Sequence, residues 1–267
     1  MPGPYSRLLP IFTLALCVSF LAWSASAAET DPDGRLFAPS ADALADVEQA
    51  LARAGDNDRL GLVVLGANWC HDSRALAARL NRSPLAEVIE ENYELVFVDV
   101  GFYEKGGNVL QQFGVPQFYA TPTALIINPS TRQVVDNEER HLWSNAYKVD
   151  MASSVDYFEK WATNDAKSAP ASAELQQLYA EIDQFEQQLA ERVAAGYAVV
   201  GPMLKAHKAD NAPSDFEARW DELAGFRMAI PGAIGELRDE ARRRVAAGED
   251  DIQLEFPAFP LLSWESN

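Results

Sequence analysis

Cysteine is almost missing from this chain, which holds two, Cys17 and Cys70, in 267 residues. Histidine is nearly as scarce: His71, His141 and His207 are the three, and none shows ligand spacing with Cys70, which argues against a metal centre. No metal or other cofactor is expected. Positive charge is also short, with 22 Lys and Arg against 40 Asp and Glu and a net charge of −18. Such a surface repels nucleic acid and anionic lipid, whose binding rests on cations neutralising phosphate. Long apolar runs are limited to one, from Leu8 to Trp23, shorter than the ~20 residues that span a bilayer. Arg7 precedes it and Ala25-Ser26-Ala27 follows, the order of a cleaved signal peptide over residues 1–27. The expectation is a periplasmic or secreted protein with no membrane insertion after cleavage. Leu14-Ala15-Leu16-Cys17 does not suit lipidation, because Leu16 is bulky where a lipoprotein box needs a small residue. Cleavage would remove Cys17 and leave Cys70 without a partner, in a compartment where disulfides are normal.

What is present is a globular balance, 48% hydrophobic and 23% charged, with room for a sizeable core. Residues 28–40 carry acids, Pro and Gly without periodicity and read as an N-terminal arm. Leu44, Val47 and Leu51 predict an amphipathic helix over 41–54 with Ser40 as its N-cap. Two buried strands are predicted at LGLVVLGA, residues 60–67, and ELVFVDV, residues 94–100, with helices at about 70–80, 84–89 and 108–113. TPTALIIN, residues 121–128, and RQVVDNE, residues 132–138, predict two strands joined by a turn at Pro129-Ser130-Thr131. Val149, Val155, Phe158 and Trp161 then return to helical spacing over 145–162. Such alternation predicts an α/β layer with a mixed sheet flanked by helices, followed by an α-helical C-terminal region. The boundaries are a domain over 41–163, a helical region over 164–250 and a tail over 251–267. A polar stretch with Pro170 joins the first two. Leu175, Leu178, Ile182, Phe185, Leu189 and Val193 line one face of a long helix, and two further helices are predicted at about 216–227 and 233–246. The proline-rich tail reads as an extended segment packed back on the domain.

The chemistry concentrates at Trp69-Cys70-His71-Asp72-Ser73, where a strand turns into a helix. A cysteine there meets unpaired backbone N–H groups and the positive end of the helix dipole, which favours thiolate over thiol. His71, when protonated, adds positive charge beside the sulfur and Asp72 adds negative charge. Ser73, one helical turn on, is expected to donate a hydrogen bond to the Cys70 sulfur. Most lone cysteines are small buried hydrophobes; this one's turn position, beside Trp69 and polar neighbours, favours a site.

With these residues the stretch from about 41 to 163 resembles the thioredoxin-like superfamily. The motifs are Trp69-Cys70-His71-Asp72-Ser73 after the first core strand and Thr121-Pro122-Thr123 at the start of the third. The resemblance implies that Cys70 is the attacking cysteine, Pro122 a cis-proline opposite it, and Thr121 the residue whose backbone pairs with substrate, with Trp69 a further substrate-binding residue. Two departures fall on one half-reaction: Ser73 stands where a resolving cysteine would, and Val64 replaces a buried acid six residues before Cys70. A lone thiol can attack and hold a disulfide but needs an external thiol to release it. The implied activity is monothiol disulfide exchange, of isomerase or mixed-disulfide type, with protein or small-molecule thiols and disulfides as partners. The alternative is a redox-inactive binding or assembly module for an envelope protein. A thiol peroxidase is disfavoured because no threonine or arginine is arranged near Cys70 to stabilise the leaving oxygen.

Overall fold

The computed structural model describes residues 36–135, 140–163 and 172–265. The expected signal peptide, most of the N-terminal arm and the Pro170 linker lie outside the described residues. Among the described residues, no helix is long and apolar enough to cross a membrane.

The central element is β1, Leu60–Gly66. It pairs in parallel with β2, Tyr93–Asp99, on one side and antiparallel with β3, Thr123–Ile127, on the other, giving the order β2-β1-β3. Successive strand residues point to opposite faces, and the sequence fills both with apolar groups. Val63, Leu65, Leu125 and Ile127 enter one core, while Leu62, Val64, Ala124 and Ile126 enter the other. The first core is covered by α1, Ala43–Asp56, and α4, Gly107–Gln112, through Val47, Leu51, Val109 and Leu110. The second is covered by α2, His71–Leu80, α3, Leu85–Asn92, and α5, Met151–Thr163, through Leu76, Leu80, Leu85, Ile89 and Phe158. The fold is the expected mixed sheet between two helical layers.

Several boundaries differ from expectation for local reasons. Helix α1 is capped by Asp42, whose carboxylate accepts from Ala45 N–H at 3.0 Å, and not by Ser40. Ser40 instead accepts from Asp42 N–H and bonds Asp46. Within the described residues the second strand of the expected hairpin, 132–138, is a single bridge between Val134 and Ile127. Arg132 turns the chain with positive φ, held by its N–H on the Asn128 carbonyl. The residues before α5 are not α-helical but a 3-10 stretch, Arg140–Lys148, kinked at Asn145.

Beyond the domain, α6, Ala173–Lys208, is one 36-residue helix started by a Ser172 cap, and α7 is Phe216–Ala246. The two helices expected near 216–227 and 233–246 are thus one, running through Pro231. Burial of Ile230 and Ile234 on either side holds the helix together where proline removes a backbone bond. The two long helices pack along each other and against the loops that carry Phe102, Tyr103, Phe118 and Tyr119, and a single apolar cluster runs from Val47 to Ala241. The tail folds back, but in the described residues onto α6 and α7 and not onto the first domain. Arg192 grips both oxygens of Glu265 at 2.7 and 2.8 Å and the Pro260 carbonyl at 2.5 Å, with Leu262 buried between. The Arg192 bonds hold the Glu265 carboxyl below its usual range.

Candidate functional site

Cys70 is the N-cap of α2, in extended conformation (φ −85°, ψ 125°), with no side-chain cap bond of its own. Its carbonyl receives the N–H of Arg74 at 3.2 Å, so the sulfur sits at the open, positive end of a ten-residue helix. The thiol, 9% exposed, donates to the Thr121 carbonyl at 3.1 Å. The Thr121–Pro122 peptide is cis. The two motifs therefore meet, although 51 positions separate Cys70 from Thr121. The Thr121 carbonyl, expected to pair with substrate, is engaged by Cys70 itself.

The neighbours of Cys70 are arranged differently from the sequence expectation. His71 points outward, its Nε2 at 3.1 Å from the Asp72 carboxylate and its ring edge-on to Tyr147. The other Asp72 oxygen accepts from Tyr147 N–H at 2.8 Å. This acid, adjacent to the thiol in sequence, thus anchors the 3-10 stretch. Trp69 donates its indole N–H to the Gly101 carbonyl at 2.7 Å, stacks on Phe102 and meets Tyr103 edge-on. It is half-buried and builds the rim.

Ser73 corrects the reading of its role. Its hydroxyl is fully buried and has no hydrogen-bond partner, so the expected bond to Cys70 is not made. The first turn of α2 carries it inward, toward Gly66, where a Cβ would come within 2.8 Å of its oxygen. A buried hydroxyl without a partner costs about 1–3 kcal/mol. Ser73→Ala is therefore expected to raise the melting temperature, by about 2–4 °C for each kcal/mol regained, and to leave the reactivity of Cys70 unchanged. A calorimetric scan and the rate of thiol alkylation check this; slower alkylation would show that the hydroxyl does serve the sulfur.

The largest difference from the sequence reading lies across the sulfur. A cleft of about 380 Å³ opens at Cys70, and its far wall is made by Leu204, His207, Phe216, Trp220, Arg227 and Met228 of the helical region. The helices approach very closely: a Cβ on Gly201 of α6 would overlap the carbonyl oxygen of Phe102. Tyr197 of α6 stacks on Tyr103 at 4.2 Å and donates to the Phe118 carbonyl at 2.8 Å. Arg227 of α7, 9% exposed, donates to the Tyr119 carbonyl at 2.6 Å and lies over the rings of Tyr103 and Trp220. The expectation that no arginine is arranged at Cys70 is overturned, because the fold brings Arg227 into its cleft. That removes the ground for setting peroxides aside, but the cleft is of the size that holds drug-sized ligands, far more than a peroxide fills.

Arg227 was detectable. Leu223, Phe226, Ile230, Ile234 and Leu237 mark the buried stripe of α7, and position 227 falls on that stripe, four after Leu223 and three before Ile230. A cation there has to find a buried role. Tyr103 carried no such signal, because its place follows from the positive-φ turn after β2.

Comparison with known proteins agrees with the geometry. Residues 42–129 match a family model described as thioredoxin-like, and this part of the chain is a thioredoxin-like domain. A solved structure described as a disulphide isomerase from Xylella fastidiosa Temecula1 is 29% identical over 46% of this chain and 94% of that chain, with a TM-score of 0.42. No curated protein matches the chain.

Proposed function

We propose that the protein is an exported monothiol thioredoxin-like enzyme that carries out thiol–disulfide exchange through Cys70. The observation that carries this reading is the placement of the thiol: the free Cys70 caps α2, faces the Thr121-Pro122 cis peptide and opens on a cleft. The Cys70 thiolate attacks one sulfur of a disulfide, forming a bond to it and expelling the other as a thiolate. With Ser73 at the resolving position, an external thiolate then attacks the mixed disulfide and returns the Cys70 thiolate. Neither step consumes electrons, so the cycle exchanges or isomerises disulfides. A signal peptide over residues 1–27 would place it in an oxidising compartment, where such chemistry has substrates.

The test is the mass of the intact protein after incubation with excess low-molecular-weight disulfide, without reductant. The parent is expected to gain one substituent that a small thiol removes, and Cys70→Ser to gain none. The shielding of Cys70 by α6 and α7 favours the second reading, a redox-inactive binding module. That reading prevails if the parent forms no adduct and resists iodoacetamide at neutral pH.

A further inference from the structure

The cleft at Cys70 holds two buried polar side chains, Tyr103 and Arg227, that the exchange steps described above do not use. The Tyr103 side chain lines it and is 7% exposed as a residue; its hydroxyl makes no hydrogen bond of normal geometry, though it interacts with the Thr121 side chain. Burial pushes this phenol above its ordinary range, Arg227 opposes the rise and Cys70 adds to it, so Tyr103 is a neutral O–H donor. Arg227 lines the same cleft. Burial works against its charge, but the phenols of Tyr197 and Tyr103 outweigh that and its pKa is raised. The ionisable groups that act on it are Tyr197, Tyr103 and Cys70, none of them a carboxylate, although Asp72, Glu217 and Lys208 also line the cleft. One N–H goes to the Tyr119 carbonyl and a further hydrogen bond joins Arg227 to the Tyr197 side chain, which leaves the remaining donors of the guanidinium without a carboxylate.

A buried, unpaired cation is expensive, and structures that keep one usually supply an anion. The Cys70 sulfur donates to the Thr121 carbonyl, and Cys70 and Arg227 both line the cleft. It adjoins a second, larger cleft of about 880 Å³, with which it shares Ala120, Ser144 and Met228. There is room for both halves of a small disulfide, while the α6/α7 wall narrows the approach of a folded protein.

We propose that Arg227 and Tyr103 form an anion subsite beside Cys70, and that its preferred exchange partner is a low-molecular-weight disulfide bearing a carboxylate. The proposal rests on disulfide exchange at Cys70 and names its substrate class. The ligand sulfur bonds to Cys70 as its own disulfide breaks and the second half leaves as a thiolate. The retained half's carboxylate takes the free guanidinium donors and the Tyr103 O–H. Release requires a low-molecular-weight thiol.

The experiment follows adduct formation on the full chain with glutathione disulfide (anionic), hydroxyethyl disulfide (neutral) and cystamine (cationic), each rate divided by its rate with a free model thiol. The parent is expected to favour the anionic disulfide. Arg227→Gln should lower that normalised rate by about ten- to a hundredfold, the range for a hydrogen bond to a charged group, and barely alter the neutral one. Tyr103→Phe should act in the same direction by a smaller factor. If Arg227→Gln does not fold, the parent decides: sulfate replacing chloride at constant ionic strength should slow only the anionic disulfide. An absence of charge preference in the parent overturns the subsite and leaves exchange standing. Equal slowing of all three disulfides in Arg227→Gln also overturns it, because Arg227 would then act on the thiol. No adduct with any of the three removes the exchange reading and the subsite together.

Discussion

Gly201→Ala is expected to lift the helical region off the thiol. The added methyl would overlap the Phe102 carbonyl oxygen, a backbone atom that cannot rotate away. Something must therefore shift, and α6 carries the groups most affected: Tyr197 on Tyr103 and Phe118, and Val200 and Leu204 in the shared core. Overpacking of this kind costs about 1–3 kcal/mol, or roughly 2–12 °C in melting temperature. The diagnostic readout is the alkylation rate of Cys70, which should rise as the far wall of its cleft moves away. A variant with the parent's melting temperature and alkylation rate would show that the close approach does not hold the wall in place.

Trp143→Ala is expected to be the most destabilising single change. Trp143 is fully buried, stacks on Phe158 at 5.2 Å and 16°, and meets Tyr157 edge-on at 5.0 Å. Truncations of this type cost about 3–5 kcal/mol, which for a chain of this size is roughly 6–20 °C. Because its indole N–H is buried without a partner, Trp143→Phe should cost far less, losing packing but also an unsatisfied donor. Thermal unfolding of the two variants side by side checks the ranking; a Phe variant as unstable as the Ala variant would mean that the indole N–H has a partner. The 3-10 stretch around Trp143 also carries Ser144, which lines both clefts. Loss of the tryptophan should therefore disturb the thiol site.

The thioredoxin-like domain was legible because its signals are local. The apolar runs at β1 and β2 and the helical spacing of α1 and α2 each name their own element. The Trp69-Cys70 turn and Thr121-Pro122 then fall at the ends of elements already placed. The expected 132–138 strand is only a bridge in the described residues, because its β-branched pair follows a tight Asn128–Arg132 turn that sequence pattern does not price. Ser73 was misread for a geometric reason. One helical turn from Cys70 is close in sequence, yet a side chain just inside the N-cap can point into the core while the cap points out of it. The far wall was invisible because it depends on how two long helices dock. Periodicity tells that α7 has a buried face but not what that face meets, nor that packing carries the helix unbroken through Pro231.

The shared cluster has a consequence in time. Tyr103, Phe118 and Tyr119 belong to the first domain in sequence, yet they are covered by Tyr197, Glu186 and Trp220 from helices that follow it. At synthesis rates of about 5–20 residues per second, the hundred or so residues of α6, α7 and the tail take roughly 5–20 s to emerge. For that interval the loops before α4 and before β3 present aromatic surface, and the only thiol of the described residues stands uncovered beside it.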